Sequence, residues 1–391
     1  MIGVAFDSSI EVRTVVKMET RYRELLDAGD RHAETAGALT LLEGRCNGQQ
    51  LRAAISDRAV AGGSFGVDES EALTAHLRRS LHDHIPFALI LDSGGARLDA
   101  GLAGLGAFRR LYRVALEVRL SKVPMVAFVE RDCFGGASML AMLCPVRSAI
   151  ENARIGMSGP GIVATFTDGR DLNASDREAV RALYGAKARA QSGAIDILVA
   201  AETPRRDALV QLLEHGLRPQ AGIRAQHESL EKRLRDSGVN TKPKPLREAA
   251  AFFHSGNAVG AAELWQLSNA MLSCQRGQTV ELQIDCPGQA ATRLDEELVL
   301  SEYVVHLALC LRESCQRGVE VVMRIDGESA GGIYVALAAG AQRVEATPDA
   351  NVRVLPERAI KVVLGKSMPD ETLAVGLCAG ITDRLVPASR Q

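Results

Sequence analysis

Short apolar runs alternate with amphipathic stretches along this chain. Residues 87–91 (FALIL) and 125–129 (MVAFV) are unbroken apolar runs bounded by turn residues, which is typical of buried parallel strands. Residues 68–81 and 102–120 instead repeat their apolar positions at the spacing of a helix. Strands that alternate with helices in this way predict an α/β fold.

Further elements are predicted on both sides of this unit. Residues 17–30 have the pattern of an amphipathic helix, and residues 38–42 and 51–55 are strand candidates. Residues 59–66 (AVAGGSFG) form a glycine-rich turn. A helix is also predicted over residues 137–143, directly after a pair of glycines.

The second half of the chain repeats landmarks of the first half. Four landmarks recur in the same order, at offsets of 193, 196, 196 and 187 residues: Asp92 and Asp285, Gly135 and Gly331, Pro160 and Pro356, and Gly193 and Gly380. Ordered landmarks at a nearly constant offset indicate a duplicated unit. We therefore predict two homologous domains of the same fold.

The composition changes between these two units. Residues 225–238 are charged and have a helical period, and the TKPKPL segment that follows soon after contains two prolines and two lysines. Such a segment is typical of a connector. We predict a first domain over residues 1–202, a helical linker over residues 203–247 and a second domain over residues 248–391.

Composition and charge exclude several classes of function. The 391 residues carry a formal net charge of −2 and only 4% are aromatic, which disfavours nucleic-acid binding. The apolar runs are shorter than the roughly 18 residues that a transmembrane helix needs. The N-terminus lacks a basic start followed by an apolar core. We therefore expect a cytoplasmic protein with neither nucleic acid nor membrane as a partner.

None of the eight cysteines has the spacing of a zinc site. We therefore predict no metal centre and expect buried thiols that act as small apolar groups. Cys133 is kept as a candidate because it lies next to a glycine-rich turn.

The glycine pair Gly135–Gly136 follows a buried strand and precedes a helix. Glycine permits positive φ and the close approach of a ligand, and a helix N-terminus presents unpaired amides at the positive end of its dipole. These properties predict a site for a developing oxyanion. The alternative is a turn that only packs the helix against the strand. The pair recurs at Gly331–Gly332, which favours the oxyanion interpretation.

A second glycine-rich turn has the sequence DSGGARL. Three of its amides are candidates to contact a thioester, a phosphate or a carboxylate: Gly94, Gly95 and Ala96. Arg97 either holds an anion or forms an ion pair with Asp92 or Asp99.

These motifs resemble the carboxyltransferase branch of the crotonase-like superfamily. SGGAR, FGGAS and GMSGP match its β-type half, and residues 23–30, 61–66 and 174–199 are similar to the β subunit of biotin-independent malonate decarboxylase. The second half resembles the γ subunit of that enzyme, or the α-type carboxyltransferase half, through GESAGG, VLPE and GITDRLV. The resemblance implies a fused β–γ chain of two tandem crotonase-like (ClpP/crotonase) domains of the ββα superhelix type.

The second half departs from the family pattern. GESAGG is one residue shorter than the usual G-E-x-x-S-G-G, and Leu355 replaces the family's serine. The zinc ribbon of bacterial β-type carboxyltransferases, a biotin-carrier motif and an ATP-binding domain are not visible in the sequence. Carboxyl transfer from biotin would need such partners, whereas decarboxylation needs less.

The resemblance implies decarboxylation of a malonyl thioester, with malonyl-acyl carrier protein converted to acetyl-acyl carrier protein. Loss of CO₂ leaves an enolate that main-chain amides can stabilise without a bound cofactor or metal. The predicted catalytic residues are Gly135, Gly136, Gly331, Gly332, Ser138 and Ser158. The predicted substrate-binding residues are Gly94, Gly95, Ala96, Arg97, Cys133, Glu328, Ser329 and Tyr334.

The acyl group would be carried on the phosphopantetheine arm of an acyl carrier protein or on coenzyme A. The product would supply starter units for fatty-acid or polyketide synthesis, and we expect a homodimer. Two alternatives remain open. One is half of a biotin-dependent acyl-CoA carboxyltransferase, and the other is a non-catalytic scaffold that binds a carrier protein.

Overall fold

The computed structural model describes Tyr22 and residues 24–29, 31–95, 97–369 and 371–387. Most of the predicted helix over residues 17–30 lies outside this part of the chain. Residues 24–29 form turns rather than a helix. The physical reason is that the Asp27 carboxylate accepts hydrogen bonds from the amides of Asn47 and Gly48, which fixes this segment against a hairpin.

Strands occur in both halves of the chain. They are β1 (His32–Ala36), β2 (Leu39–Cys46), β3 (Gln49–Ser56), β4 (Phe87–Ser93), β5 (Met125–Phe134), β6 (Val146–Ile150), β7 (Arg154–Gly156), β8 (Ile197–Val199), β9 (Thr279–Cys286), β10 (Glu320–Ala330), β11 (Arg343–Ala346), β12 (Asn351–Arg353) and β13 (Arg384–Leu385).

Helices connect and cover these strands. They are α1 (Val67–Asp83), α2 (Gly101–Leu120), α3 (Gly136–Leu143), α4 (Pro160–Phe166), α5 (Arg177–Tyr184), α6 (Ala186–Gln191), α7 (Arg205–Gly216), α8 (Ile223–Asp236), α9 (Leu246–Ala251), α10 (Ala261–Leu272), α11 (Arg293–Glu297), α12 (Leu300–Gln316), α13 (Gly331–Gly340), α14 (Glu357–Leu364) and α15 (Leu373–Ala379).

The first sheet has the order β1-β2-β3-β4-β5-β6-β8. The pairs from β1 to β3 are antiparallel, and those from β3 to β8 are parallel. β5 is longer than the predicted strand over residues 125–129 because its end, Asp132–Phe134, pairs with β7. The other predicted strands correspond to β2, β3 and β4, and the predicted α/β class is confirmed.

The second sheet has the order β12-β10-β11-β13, with β9 also paired to β10, and all of its pairs are parallel. In both sheets one long strand, β5 or β10, pairs with two neighbours along its first part. The end of each long strand then pairs with a short strand, β7 or β12. Each long strand is followed by a glycine pair and a helix, which places these turns at equivalent points.

A continuous apolar core joins the two halves. Leu111 and Tyr112 of α2, Met139 of α3, Leu307 of α12 and Leu337 of α13 all belong to it and are buried. α2 packs on α13, and α3 packs on α12. The predicted linker also packs on the body of the protein, since Leu209 and Leu212 of α7 lie in an apolar cluster with strands of the first sheet.

Arg109 of α2 forms a polar clamp between the halves. Its side chain is almost completely buried and donates to the carbonyls of Gly380 and Ile381 at 2.9 and 3.2 Å. It also binds both carboxylate oxygens of Asp383 at 3.1 Å. One guanidinium nitrogen thus contacts both carboxylate oxygens, and such charge-assisted hydrogen bonds are stronger than those between neutral groups. The clamp therefore fixes how the end of the chain lies on α2.

We expect Gly106→Ala to destabilise the protein by about 2 kcal/mol or more, as overpacking commonly does. A β-carbon on Gly106 would overlap the main-chain carbonyl of Ala379, at the end of α15. This cost exceeds the gain of up to about 1 kcal/mol from replacing a helical glycine. Urea unfolding measures the difference. Gly222→Ala is the control because nothing lies within 4 Å of that position, and equal effects of the two substitutions would contradict the packing.

Candidate active site

A cavity of about 320 Å³ lies between the two halves of the chain. Both glycine pairs line it, as do Gly94 and Gly95 of the first glycine-rich turn. Its apolar lining includes Phe65, Leu105, Phe108, Phe134, Met139, Met157, Val335, Val354, Leu355, Val362 and Val363. The predicted glycine turns are therefore brought together around one mainly apolar space.

The turns that lead into α3 and α13 both contain a glycine with a positive φ angle. Gly135 has φ +54° and Gly331 has φ +59°, in the left-handed region that a side chain enters only at a cost. Two further glycines pack against these turns: Gly95, with φ +117°, lies beside the Phe134 carbonyl, and Gly288, with φ +130°, lies beside the Ala330 carbonyl. The repeat seen in the sequence thus extends to equivalent turns.

Three of the predicted amide donors are already hydrogen-bonded. The Gly135 amide donates to the Met157 carbonyl at 3.2 Å, and the Gly94 amide donates to the Gly62 carbonyl at 2.9 Å. The Gly95 amide donates to Ser93 Oγ at 3.2 Å. These three amides are therefore engaged within the protein, and their role in holding a substrate oxygen stays a prediction; Ala96 lies outside the described residues.

The Gly136 amide is different. It lies at the first position of α3, where no intrahelical acceptor exists, and it has no acceptor elsewhere in the described part of the chain. Gly136 lines the cavity, and a β-carbon there would lie 2.8 Å from the ring of Phe108. The first half therefore contributes this amide, at the positive end of the α3 dipole.

The second half presents Gly331 and Gly332 at the N-terminus of α13. No loop carbonyl among the described residues accepts a hydrogen bond from either amide. Gln289 lies beside them, with its Oε1 atom buried and without a hydrogen-bond partner in the described structure. Gln289 was not predicted, although it lies 193 residues after Ala96, the same offset that relates Asp92 to Asp285.

Three predicted side chains do not line the cavity: two are hydrogen-bonded elsewhere and the third is buried. Ser138 shares a hydrogen bond of 2.9 Å with Ser301 and donates to the Gly135 carbonyl at 2.8 Å. The Tyr334 hydroxyl donates to the Ile381 carbonyl at 2.7 Å. Cys133 is fully buried, and burial raises the pKa of its thiol far above the ordinary value. These groups pack the wall of the site.

Ser158, Glu328 and Ser329 also lie outside the cavity lining. Ser158 and Ser329 are buried, and their hydroxyl groups have no hydrogen-bond partner among the described residues. Glu328 is exposed and is held through its main-chain amide by Asp285 at 2.9 Å.

Arg97 does line the cavity, but its partner differs from both of the predicted ones. The guanidinium donates to the Ser64 carbonyl at 2.8 Å and binds the buried Glu69 carboxylate at 2.5 Å. Neither Asp92 nor Asp99 pairs with it. Asp92 instead binds Arg131 at 2.6 Å. The N-terminus of α1, where Glu69 lies, therefore fixes this arginine.

One edge of the cavity is polar and was not predicted. Arg58, Arg154 and Asp132 line this edge, and Arg154 binds both oxygens of the Asp132 carboxylate at 2.8 and 2.9 Å. Arg58 binds the same carboxylate. Two half-exposed cations thus flank one buried anion. No sequence motif marks this group, because its members come from three separate segments.

Glu296 of α11 supports the cavity wall from the second half. Its carboxylate accepts hydrogen bonds from the Ser158 amide at 2.6 Å and the Met157 amide at 3.2 Å. Arg189 lies 3.5 Å away. Burial raises the pKa of Glu296 to about 7, although Arg189 and the two amides oppose this rise.

Within the described residues, no group of three or more His, Cys, Asp or Glu side chains is placed to hold a metal ion. In the same part of the chain, no helix combines the length and apolar character that crossing a bilayer requires.

Comparison with known proteins places this chain in a family. The sequence model described as carboxyl transferase domain matches residues 16–234, and the chain belongs to that family. Residues 255–376 match the model described as malonate decarboxylase gamma subunit. The resemblance to carboxyltransferases and malonate decarboxylase stated from the motifs is therefore confirmed.

The similar curated proteins are carboxyltransferase subunits. The methylmalonyl-CoA carboxyltransferase 12S subunit of Propionibacterium freudenreichii is 29% identical over 157 residues, 40% of this chain and 29% of the relative. The acetyl-coenzyme A carboxylase carboxyl transferase subunit beta of Methylocella silvestris is 28% identical over 144 residues, 37% of this chain and 50% of the relative. The chain thus spans half or less of the length of these relatives.

A solved structure with a similar fold is the Pseudomonas malonate decarboxylase hetero-tetramer in complex with malonate. The match has a TM-score of 0.51 and 24% identity, and it covers 58% of this chain and 91% of that chain. At this identity the similarity shows the fold.

We expect Glu296→Gln to change how stability depends on pH. Burial raises the pKa of Glu296, so its contribution to stability is fully present below the unfolded value of 4.5 and is lost as the pH rises to about 7. The wild-type thermal midpoint should therefore fall relative to that of the variant across this range. Calorimetry at several pH values measures the difference, and a constant difference would show that the carboxyl does not titrate there.

Proposed function

We propose that this chain decarboxylates a malonyl thioester and stabilises the resulting enolate with main-chain amides. The observation that carries the proposal is that two helices, α3 and α13, begin at one cavity between the halves. Both begin with glycines that expose the main chain. The family membership and the match of residues 255–376 to a malonate decarboxylase subunit support the same chemistry.

In the proposed reaction the bond between the carboxylate carbon and the α-carbon breaks. Its electron pair moves to the α-carbon and is delocalised onto the thioester oxygen, and CO₂ leaves. An amide that binds this oxygen more strongly in the enolate than in the ground state lowers the barrier. Gly136 from the first half and Gly331 or Gly332 from the second half are the proposed donors.

The apolar lining favours the loss of charge on the leaving group. Val354 and Leu355 lie next to Gly331, with Leu355 Cδ2 3.7 Å from the position of a β-carbon on that glycine. A carboxylate transferred from water into such surroundings loses hydration, whereas neutral CO₂ does not need it. The leucine in place of the family's serine is therefore compatible with decarboxylation.

The proton that completes the product must reach the α-carbon. Ser138 and Tyr334 are bonded elsewhere, so we assign the final protonation to water that enters at the polar edge. The cations of that edge, Arg58 and Arg154, are suited to the phosphate of a phosphopantetheine arm or of coenzyme A.

The proposal also includes a carrier, a use for the product, an oligomeric state and a division into domains. The carrier is an acyl carrier protein, the acetyl product serves as a starter unit, and the protein is a cytoplasmic homodimer. The repeated strand order supports two tandem ββα domains divided at residues 203–247.

A second candidate is carboxyl transfer with a biotin partner. The observation that favours it is the match of residues 16–234 to the carboxyl transferase domain and to subunits of two carboxyltransferases. Exchange of labelled carboxyl groups between carboxybiotin and an acyl thioester would identify this activity. Binding of a carrier protein without any turnover would instead identify the non-catalytic scaffold.

The direct test is to incubate the chain with malonyl-acyl carrier protein and follow the carrier by mass spectrometry. We expect the mass of the acyl group to fall by that of one CO₂, leaving an acetyl thioester. Malonyl-CoA, assayed in parallel, distinguishes the two carriers. If neither thioester loses CO₂ faster than in a sample without protein, the proposed function is wrong.

We expect Gly136→Pro to lower kcat at least ~100-fold, the usual effect of deleting one oxyanion donor. Proline removes the amide proton but is tolerated at the first position of a helix. Gly136→Ala is the matched control, since its β-carbon meets the same Phe108 ring while the amide remains. Equal rates for the two variants, at equal thermal stability, would exclude the Gly136 amide as a donor.

A further inference from the structure

A second cavity, of about 190 Å³, lies where α2 and α3 of the first half meet α8 and α12. Three arginines line it, Arg119, Arg147 and Arg233, whereas Glu302 is the only carboxylate among the described residues of its lining. One face of α8 closes it, since Gln226, Ser229 and Arg233 lie three or four residues apart. The cavity is separate from the candidate active site.

The single carboxylate does not balance the three guanidinium groups. Glu302 bridges Arg147 at 2.6 Å and Arg233 at 2.5 Å, and these two cations hold the pKa of Glu302 below its usual value despite complete burial. No described carboxylate lies within ion-pair distance of Arg119. Burial therefore lowers the pKa of Arg119 without a compensating partner.

Two arginines of the cavity lining do not use all of their N–H groups in hydrogen bonds to the described residues. Arg147 is buried, and its Nε atom has no hydrogen-bond partner among the described residues, with the carboxylate of Asp196 3.8 Å away. Arg119 donates only one hydrogen bond in this part of the chain, to the Ala221 carbonyl at 3.3 Å. A buried charge or donor without a partner is costly, so such groups usually have one, which can be a protein group, an ordered water or a bound ligand.

We propose that this cavity is a binding site for a small, doubly charged oxyanion, either a phosphate or a short dicarboxylate. Its lining carries three positive charges and one negative charge, and a net positive charge remains even when the Asp196 carboxylate, 3.8 Å from Arg147 Nε, is counted. Guanidinium groups bind both classes through paired hydrogen bonds. The proposal goes beyond the proposed decarboxylation and does not depend on it. An anion held here would join α2 to α8 and strengthen the contact of the linker with the first half.

Calorimetric titration of the full chain at constant ionic strength tests this site, with phosphate, malonate and acetate as separate ligands. We expect saturable binding of phosphate or malonate at millimolar concentration or below, and much weaker binding of singly charged acetate. Whichever of phosphate and malonate binds more tightly identifies the ligand class. Absence of saturable binding by both would overturn the proposal.

Arg119→Gln should weaken the binding by about tenfold or more, as expected for the loss of a charge-assisted hydrogen bond. Arg119→Lys should lose less of the affinity for the anion, because lysine keeps the positive charge. Arg224→Gln is the control, since Arg224 lies on α8, one of the helices around the cavity, but is exposed and does not line the cavity. Equal weakening by Arg119→Gln and Arg224→Gln would show non-specific attraction and overturn the site.

Stability without an added anion gives an independent test. Removing a partly buried cation that has no carboxylate partner among the described residues should leave the thermal midpoint of Arg119→Gln at or above that of the wild type in chloride buffer. The added anion should then raise the midpoint of the wild type and not that of the variant. A variant that is less stable in chloride and still gains from the anion would contradict the proposal. Neither result requires turnover of a thioester.

Discussion

The candidate active site depends on a strand-to-helix turn that glycine enters at low cost. With φ near +55°, Gly135 and Gly331 reverse the chain so that α3 and α13 begin directly after the long strands β5 and β10. A residue with a β-carbon enters such a sparsely populated conformation at a cost of roughly 1–3 kcal/mol. The turn places the first amides of each helix at the cavity, where a helix end is already short of acceptors.

The site is built by contacts between the two halves. Gly332 packs against the side chains of Met139 and Met157 from the first half, so a larger residue would separate the two turns. Glu296 reaches back from the second half to the amides of Met157 and Ser158. Because each half supplies part of the wall of the other, the cavity depends on the packing of the two halves against each other.

Sequence patterns predicted the strands, helices and turns that depend on residues close together in the chain. The apolar runs of β4 and β5, the glycine pairs and the repeated landmarks are all encoded within short windows. Hydrogen-bond partners that lie far apart in sequence were not predictable. The Gly135 amide is bonded because β7 brings Met157 beside it, and Ser138 is turned into the core by Ser301, 163 residues later. Glu69 likewise holds Arg97 in place of the nearer aspartates.

A crystal structure with a stable malonyl-thioester analogue would test the role of the main chain most directly. The distances to measure are those from the thioester oxygen to the amide nitrogens of Gly136, Gly331 and Gly332. We expect the oxygen to lie about 3 Å from Gly136 N and from one of the other two, as in ordinary hydrogen bonds. An analogue bound with its thioester oxygen on a side chain, or in solvent and away from both helix ends, would contradict main-chain stabilisation of the enolate.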